Sequence, residues 1–178
     1  MFLLVGLGNP GPQYEATRHN VGFLLLDEIA VEARISFSSI KFRGLFGRGN
    51  WNGVDVALLK PQTFMNLSGA PVLEALQFFK LDQQQLVVVF DDLDQAHGAV
   101  KMRLGGGHGG HNGMRDILAK LPSDGFHRLK IGIDKPSHKA ATADYVLGKF
   151  SEPQWNSLKE ETFPTAKKRL LETLRRAK

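Results

Sequence analysis

His19, in YEATRHN, and Asp91, the first acid after the apolar run LVVVF, are the residues of this chain most able to do acid–base chemistry together. An imidazole beside a carboxylate is a general base whose tautomer is fixed and whose protonated form is stabilised. The chain has no cysteine and no G-x-S-x-G elbow, and Ser68 stands where a helix begins. Activated water is then the simplest nucleophile. Further polar groups fall at the ends of other apolar runs. Asn9 and Tyr14 lie in the loop before His19, and Phe64, Met65 and Asn66 lie in PQTFMNLSG. His108, His111 and Asn112 sit in GGGHGGHNG, before a helix whose free amides and positive end suit an anion or a polarised oxygen. Each residue also has an ordinary structural use: His19 can satisfy loop carbonyls, and Asp91 can cap a turn.

Two other chemistries fit less well. Gly6 to Gly11, GLGNPG, has the G-x-G-x-x-G spacing of a dinucleotide-binding turn, but Pro10 removes an amide and helical periodicity starts only near Val21. Asp27, Glu28 and Glu32 fall inside that helical pattern instead of ending a second strand, so Gly6, Gly8 and Gly11 read as sites of tight backbone passage and positive φ. A metal would call on His108 and His111, whose H-x-x-H spacing in a glycine loop lacks the i, i+4 geometry of helical zinc sites. Neither a metal nor a cofactor is expected.

The elements that must position these groups alternate between strands and helices. Phe2–Leu7 and residues 86–90 read as buried strands, and Asn20 caps a helix from Val21 to Ala33. Residues 42–48 and 54–59 form a hairpin about NWNG, closed by Pro61. Helices are expected over 68–81 and 114–121, and strands over 100–104 and 129–133. The C-terminal third is helical but broken at Pro164. Its last helix sets Leu170, Leu171 and Leu174 against the body and leaves Lys167, Lys168, Arg169, Arg175, Arg176 and Lys178 wet. This order implies an α/β fold: one domain over 1–178 with a twisted, mixed, mostly parallel central sheet flanked by helices.

With 178 residues, 42% of them hydrophobic, and no apolar run near the ~18 residues of a membrane span, a soluble protein with no membrane partner is expected. The absence of cysteine suits a reducing cytoplasm. A net charge of +5 favours a polyanionic partner, with nucleic acid foremost.

GLGNPGPQYEATRHNVG, KPQTFMNLSG, FDDLD with GAVKMRL, GGGHGGHNGMRDI and FHRLKIGI, taken in order from Val5 to about Phe150, resemble the bacterial peptidyl-tRNA hydrolases. The resemblance implies a mixed sheet flanked by helices, a monomer, and hydrolysis of the ester joining a peptide to the tRNA 3′ ribose without metal or cofactor. It makes His19 the general base and Asp91, ahead of Asp92, its supporting carboxylate. Asn9 matches the position that separates acylated from free amino termini. Tyr14, Phe64, Asn66 and Asn112 match contacts to the substrate's 3′ end, with Met65 and His111 as neighbours. Arg103 and Lys130 match a clamp on the tRNA 5′ phosphate in which lysine and then arginine are usual, so the planar fork and the point charge have exchanged places. A catalytically silent tRNA-binding module on the same fold is the alternative.

Overall fold

FLLVG and LVVVFDD are apolar almost without interruption, the pattern of strands covered on both faces, and they lie side by side at the centre of the sheet. A computed structural model describes residues 1–138 and 141–177. In chain order the elements are β1 (Phe2–Gly6), α1 (Val21–Ala33), β2 (Ser39–Lys41), β3 (Gly44–Trp51), β4 (Val54–Pro61), α2 (Gly69–Phe79) and β5 (Leu86–Asp92). β6 (Val100–Leu104), α3 (Asn112–Lys120), β7 (His127–Gly132), α4 (Thr142–Val146), α5 (Glu152–Ser157) and α6 (Phe163–Arg176) complete them. They build a 7-stranded sheet ordered β2-β3-β4-β1-β5-β7-β6. The centre, β4-β1-β5-β7, is parallel, and antiparallel strands flank it on both sides. No described helix is long and apolar enough to cross a membrane.

Side-chain alternation along the central strands divides the core in two. Leu4, Val56, Leu58, Val87 and Val89 pack with α1 and α6 on one face. Leu3, Val5, Leu59, Val88 and Phe90 pack with α2 and α3 on the other.

The hairpin turn is tighter than expected, because only Asn52 and Gly53 occupy it, with φ 49° and 88°, and both strands run up to them. β4 runs past the expected residue 59 and ends at Pro61 itself. Pro61 pairs with Gly44 where β1 no longer reaches, so its missing N–H leaves no gap in the ladder. Phe42 does not begin the hairpin strand. With Arg43 it forms a second left-handed turn, φ 54° and 55°, between β2 and β3. At the C-terminus Pro164 lies in the first turn of α6, directly after a π-turn at Leu158–Thr162, and α5, that turn and α6 follow without a break. Leu170 and Leu174 are buried as expected, and Lys178 lies outside the described residues.

α1 approaches the sheet more closely than side chains would allow. A Cβ on Gly6 would stand 2.4 Å from the Gly22 carbonyl oxygen, and one on Gly22 would stand 2.4 Å from the Val89 carbonyl oxygen and 2.6 Å from the Leu7 nitrogen. These glycines let the start of α1 rest on the carboxyl ends of β1 and β5. Gly22→Ala should therefore destabilise the protein by about 1–3 kcal/mol through overpacking, read from the urea midpoint.

Candidate active site

β1 and β5 are neighbours with Gly6 opposite Val89, so the loop after β1 and the end of β5 share one sheet edge, where open α/β sheets bind ligands. His19, in the short 3₁₀ turn Arg18–Asn20, meets Asp91 there. Its Nδ1 is 3.0 Å from Oδ1 and 2.9 Å from Oδ2 of Asp91. Both residues are buried, yet both line a cleft of about 600 Å³. His19 Nε2 has no protein partner among the described residues and is the nitrogen left for the cleft. Burial pushes the His19 imidazole towards lower pKa, but the charge and hydrogen bond of Asp91 more than offset it and raise the group above its ordinary value. Burial alone would raise the Asp91 carboxyl, and the facing imidazoles instead hold it far below the usual carboxylate range.

His111 is the second imidazole on that carboxylate, with Nε2 2.8 Å from Asp91 Oδ1. Its Nδ1 accepts from the backbone N–H groups of Gly113, at 3.1 Å, and Met114, at 3.2 Å, so the ring caps α3. Ligand atoms of His19, Asp91 and His111 lie within 4.8 Å of one another, the one cluster among the described residues compact enough to share a cation.

Asn9 is fixed from several sides. Its backbone N–H donates to Asn20 Oδ1 at 2.8 Å, and its carbonyl accepts from Asn20 Nδ2 at 2.9 Å. Asn20 thus spends its side chain on Asn9 and does not cap α1 as its position suggests. The Met65 N–H donates to Asn9 Oδ1 at 2.7 Å, which leaves Asn9 Nδ2 as the available donor. Asn9 lines a second cavity, of about 360 Å³, rather than the His19 cleft. Met65 is buried, while Phe64, 59% exposed, and Asn66 stand out on the same turn. Tyr14 is half-buried and lines neither cavity. Asn112 is exposed at the start of α3 and lines the cleft.

Arg103 and Lys130 line the cleft's far wall. The antiparallel register sets Lys101 opposite Lys130 and Arg103 opposite Arg128, so all four cations share one sheet face. Sequence reasoning passed over Arg128, which is wholly buried. Its guanidinium lies 4.7 Å from the Phe126 ring and donates to the Gly107 carbonyl at 2.6 Å, anchoring the glycine-rich loop. Arg18 precedes His19 in the same 3₁₀ turn. It donates to the Tyr145 carbonyl at 3.1 Å and stacks 4.2 Å from that ring, docking α4, whose Thr142 and Val146 line the cleft. The strand alternation of HRLKIG was the available signal for Arg128.

From residue 3 to residue 177 the chain matches the family model described as peptidyl-tRNA hydrolase. The chain belongs to that family. It is 50% identical over 156 residues to the peptidyl-tRNA hydrolase of Geobacter metallireducens, covering 88% of this chain and 80% of that protein. It is 46% identical over 154 residues to the one from Bacillus anthracis, covering 86% and 83%. The peptidyl-tRNA hydrolase of Acinetobacter baumannii superposes with a TM-score of 0.87 at 36% identity, covering 99% of this chain and 94% of that one. The enzyme is accordingly a hydrolase of peptidyl-tRNA, and this agreement favours neither the silent tRNA-binding module nor a nicotinamide enzyme.

The Asn9–Asn20 cross-link ties the loop after β1 to the turn that holds His19. Asn20→Ala should leave two buried backbone groups of Asn9 unpaired, cost about 1–3 kcal/mol in chemical denaturation, and reduce turnover even though Asn20 touches no reacting atom.

Proposed function

We propose that His19 is the general base of peptidyl-tRNA hydrolysis and that Asp91 holds it in the reactive tautomer. The observation that carries this reading is the His19 Nδ1 to Asp91 contact of 2.9 Å, which leaves Nε2 as the acceptor facing the cleft. Nε2 takes a proton from water as the water oxygen bonds to the ester carbonyl carbon. The resulting tetrahedral oxyanion collapses, the bond from carbon to the 3′ ribose oxygen breaks, and the imidazolium returns its proton to that oxygen. Peptide acid and tRNA leave, and His19 is again neutral. Asn112, whose Oδ1 accepts from Arg115 at 3.3 Å, has an amide NH₂ to offer the oxyanion, a donor of a kind worth about 3 kcal/mol.

Asn9 Nδ2 pairs with a carbonyl of the peptide, which distinguishes an acylated amine from a free ammonium. Tyr14, Phe64 and Asn66 receive the 3′ end of the tRNA, the exposed Phe64 ring by stacking on a base. Arg103 and Lys130, which form no ion pair among the described residues, hold the 5′ phosphate. In this reading the enzyme acts in the cytoplasm as a monomer, without metal or cofactor.

Because only neutral His19 accepts a proton, kcat/KM should rise with pH, with its midpoint above the ordinary histidine value of 6.5. In Asp91→Asn the carboxylate is gone and burial remains, so the midpoint of the residual activity should fall below 6.5 and kcat should drop by about 10³–10⁴. An unchanged pH profile in that variant refutes the assignment. Release of peptide from N-blocked aminoacyl-tRNA should vanish in His19→Ala while tRNA binding is kept.

Arg103→Ala and Lys130→Ala should each raise KM for full-length substrate and lower the salt slope of binding by about 1. Both should leave untouched a minimal substrate lacking the 5′ phosphate. Equal losses on the two substrates would exclude a phosphate clamp.

A further inference from the structure

We infer that His111 is a positioning residue, locked as its Nε2–H tautomer by the first turn of α3, which fixes Asp91 and leaves His19 as the only base of the pair. This rests on the reading of His19 given above.

A neutral imidazole carries a single N–H. The His111 Nδ1 accepts two backbone N–H groups, from Gly113 and Met114, so the ring hydrogen is on Nε2 and points at Asp91 Oδ1, 2.8 Å away. Moving that hydrogen to Nδ1 would break both capping bonds and place it against the positive end of α3. The two rings stand 4.9 Å apart at 50° on one carboxylate, so the carboxylate alone gives no reason to prefer either as base. Helix α3 supplies the difference. Nothing comparable holds His19, whose Nδ1 faces the carboxylate and whose Nε2 faces the cleft.

Packing holds the ring in place. The Phe90 ring meets it edge-on at 5.0 Å. A Cβ on Gly113 would stand 3.1 Å from the imidazole Cε1 and 2.7 Å from the Met65 sulfur, so a side chain there would push the ring off the helix end. With both nitrogens engaged, His111 has no hydrogen bond left for substrate, unlike its expected place among the substrate contacts. Asp92 and Asp94, Lys101 and Arg103, Lys130 and His108 line the same cleft, from β5 and the turn after it, β6, β7 and the glycine loop respectively. Among the described residues the Asp91 carboxylate is nevertheless paired with the two imidazoles alone.

Nitrogen-15 spectra of the full-length, histidine-labelled enzyme at mildly alkaline pH test the tautomer directly. His111 should show an unprotonated Nδ1 and a protonated Nε2. A protonated Nδ1, or a mixture of the two forms, overturns the inference.

His111→Asn tests the consequence. Asparagine is a good N-cap, so α3 should keep its start while Asp91 loses a donor. We expect kcat to fall about 10- to 100-fold, as for other groups that orient a reacting residue, with KM for peptidyl-tRNA within about twofold. The acid limb of kcat/KM should move to higher pH, because a carboxylate with one donor fewer holds the His19 imidazolium more strongly. A raised KM with an unmoved limb would mean a substrate contact, and lost stability with unmoved kinetics would mean a purely structural cap; either sinks the proposal. Full activity in His19→Ala would instead overturn the base assignment and leave the tautomer result to be judged separately.

Discussion

A carboxylate with almost no access to water needs hydrogen-bond donors from its neighbours, and the site is arranged around that requirement at Asp91. Its position near the end of a central, almost wholly buried strand removes solvent, and the imidazoles of His19 and His111 replace it. Loss of either ring would leave the buried carboxylate short of a donor. The backbone serves the same end. A side chain on Gly6 or Gly22 would push the start of α1 away from the sheet, and with it the turn that holds His19 against Asp91.

Most of the frame of the candidate site was legible in the chain. Asp91 follows an apolar run that could only be a central strand, and His19 precedes a helix in the loop after another; adjacent parallel strands then bring their ends together. The spacing of the first glycines was also legible as backbone crowding, with Gly11 at φ 112° and Gly6 and Gly8 against α1. Its counterpart Gly22 was not, because a glycine inside a helix announces nothing until the sheet beneath it is known. Side-chain preferences misled in two places. Asn20 stands at a capping position yet cross-links Asn9, and His111, a residue with little reputation as a cap, holds the start of α3. The turn at Phe42 and Arg43 was hidden for a similar reason, since neither residue favours left-handed backbone.

The basic charge divides by burial rather than by sequence. On the face shared by β6 and β7, Arg128 lies beneath the glycine loop and is a structural strut, whereas Lys101, Arg103 and Lys130 open onto the cleft. On α6, Arg169 and Arg175 donate to the Val100 and Asn52 carbonyls and Lys167 pairs with Glu32. A good part of the excess cationic charge read from composition therefore fastens helix to sheet and is not offered to a polyanion.

The capped imidazole also decides what else the pocket can hold. Two imidazoles and a carboxylate around one point would ordinarily be a ready chelate for zinc or copper. Here Nε2 could ligate an ion only as an imidazolate, or after α3 surrendered the amides bound to Nδ1, and both routes are costly. A helix terminus thus raises the cost of holding a transition metal through the His111 ring.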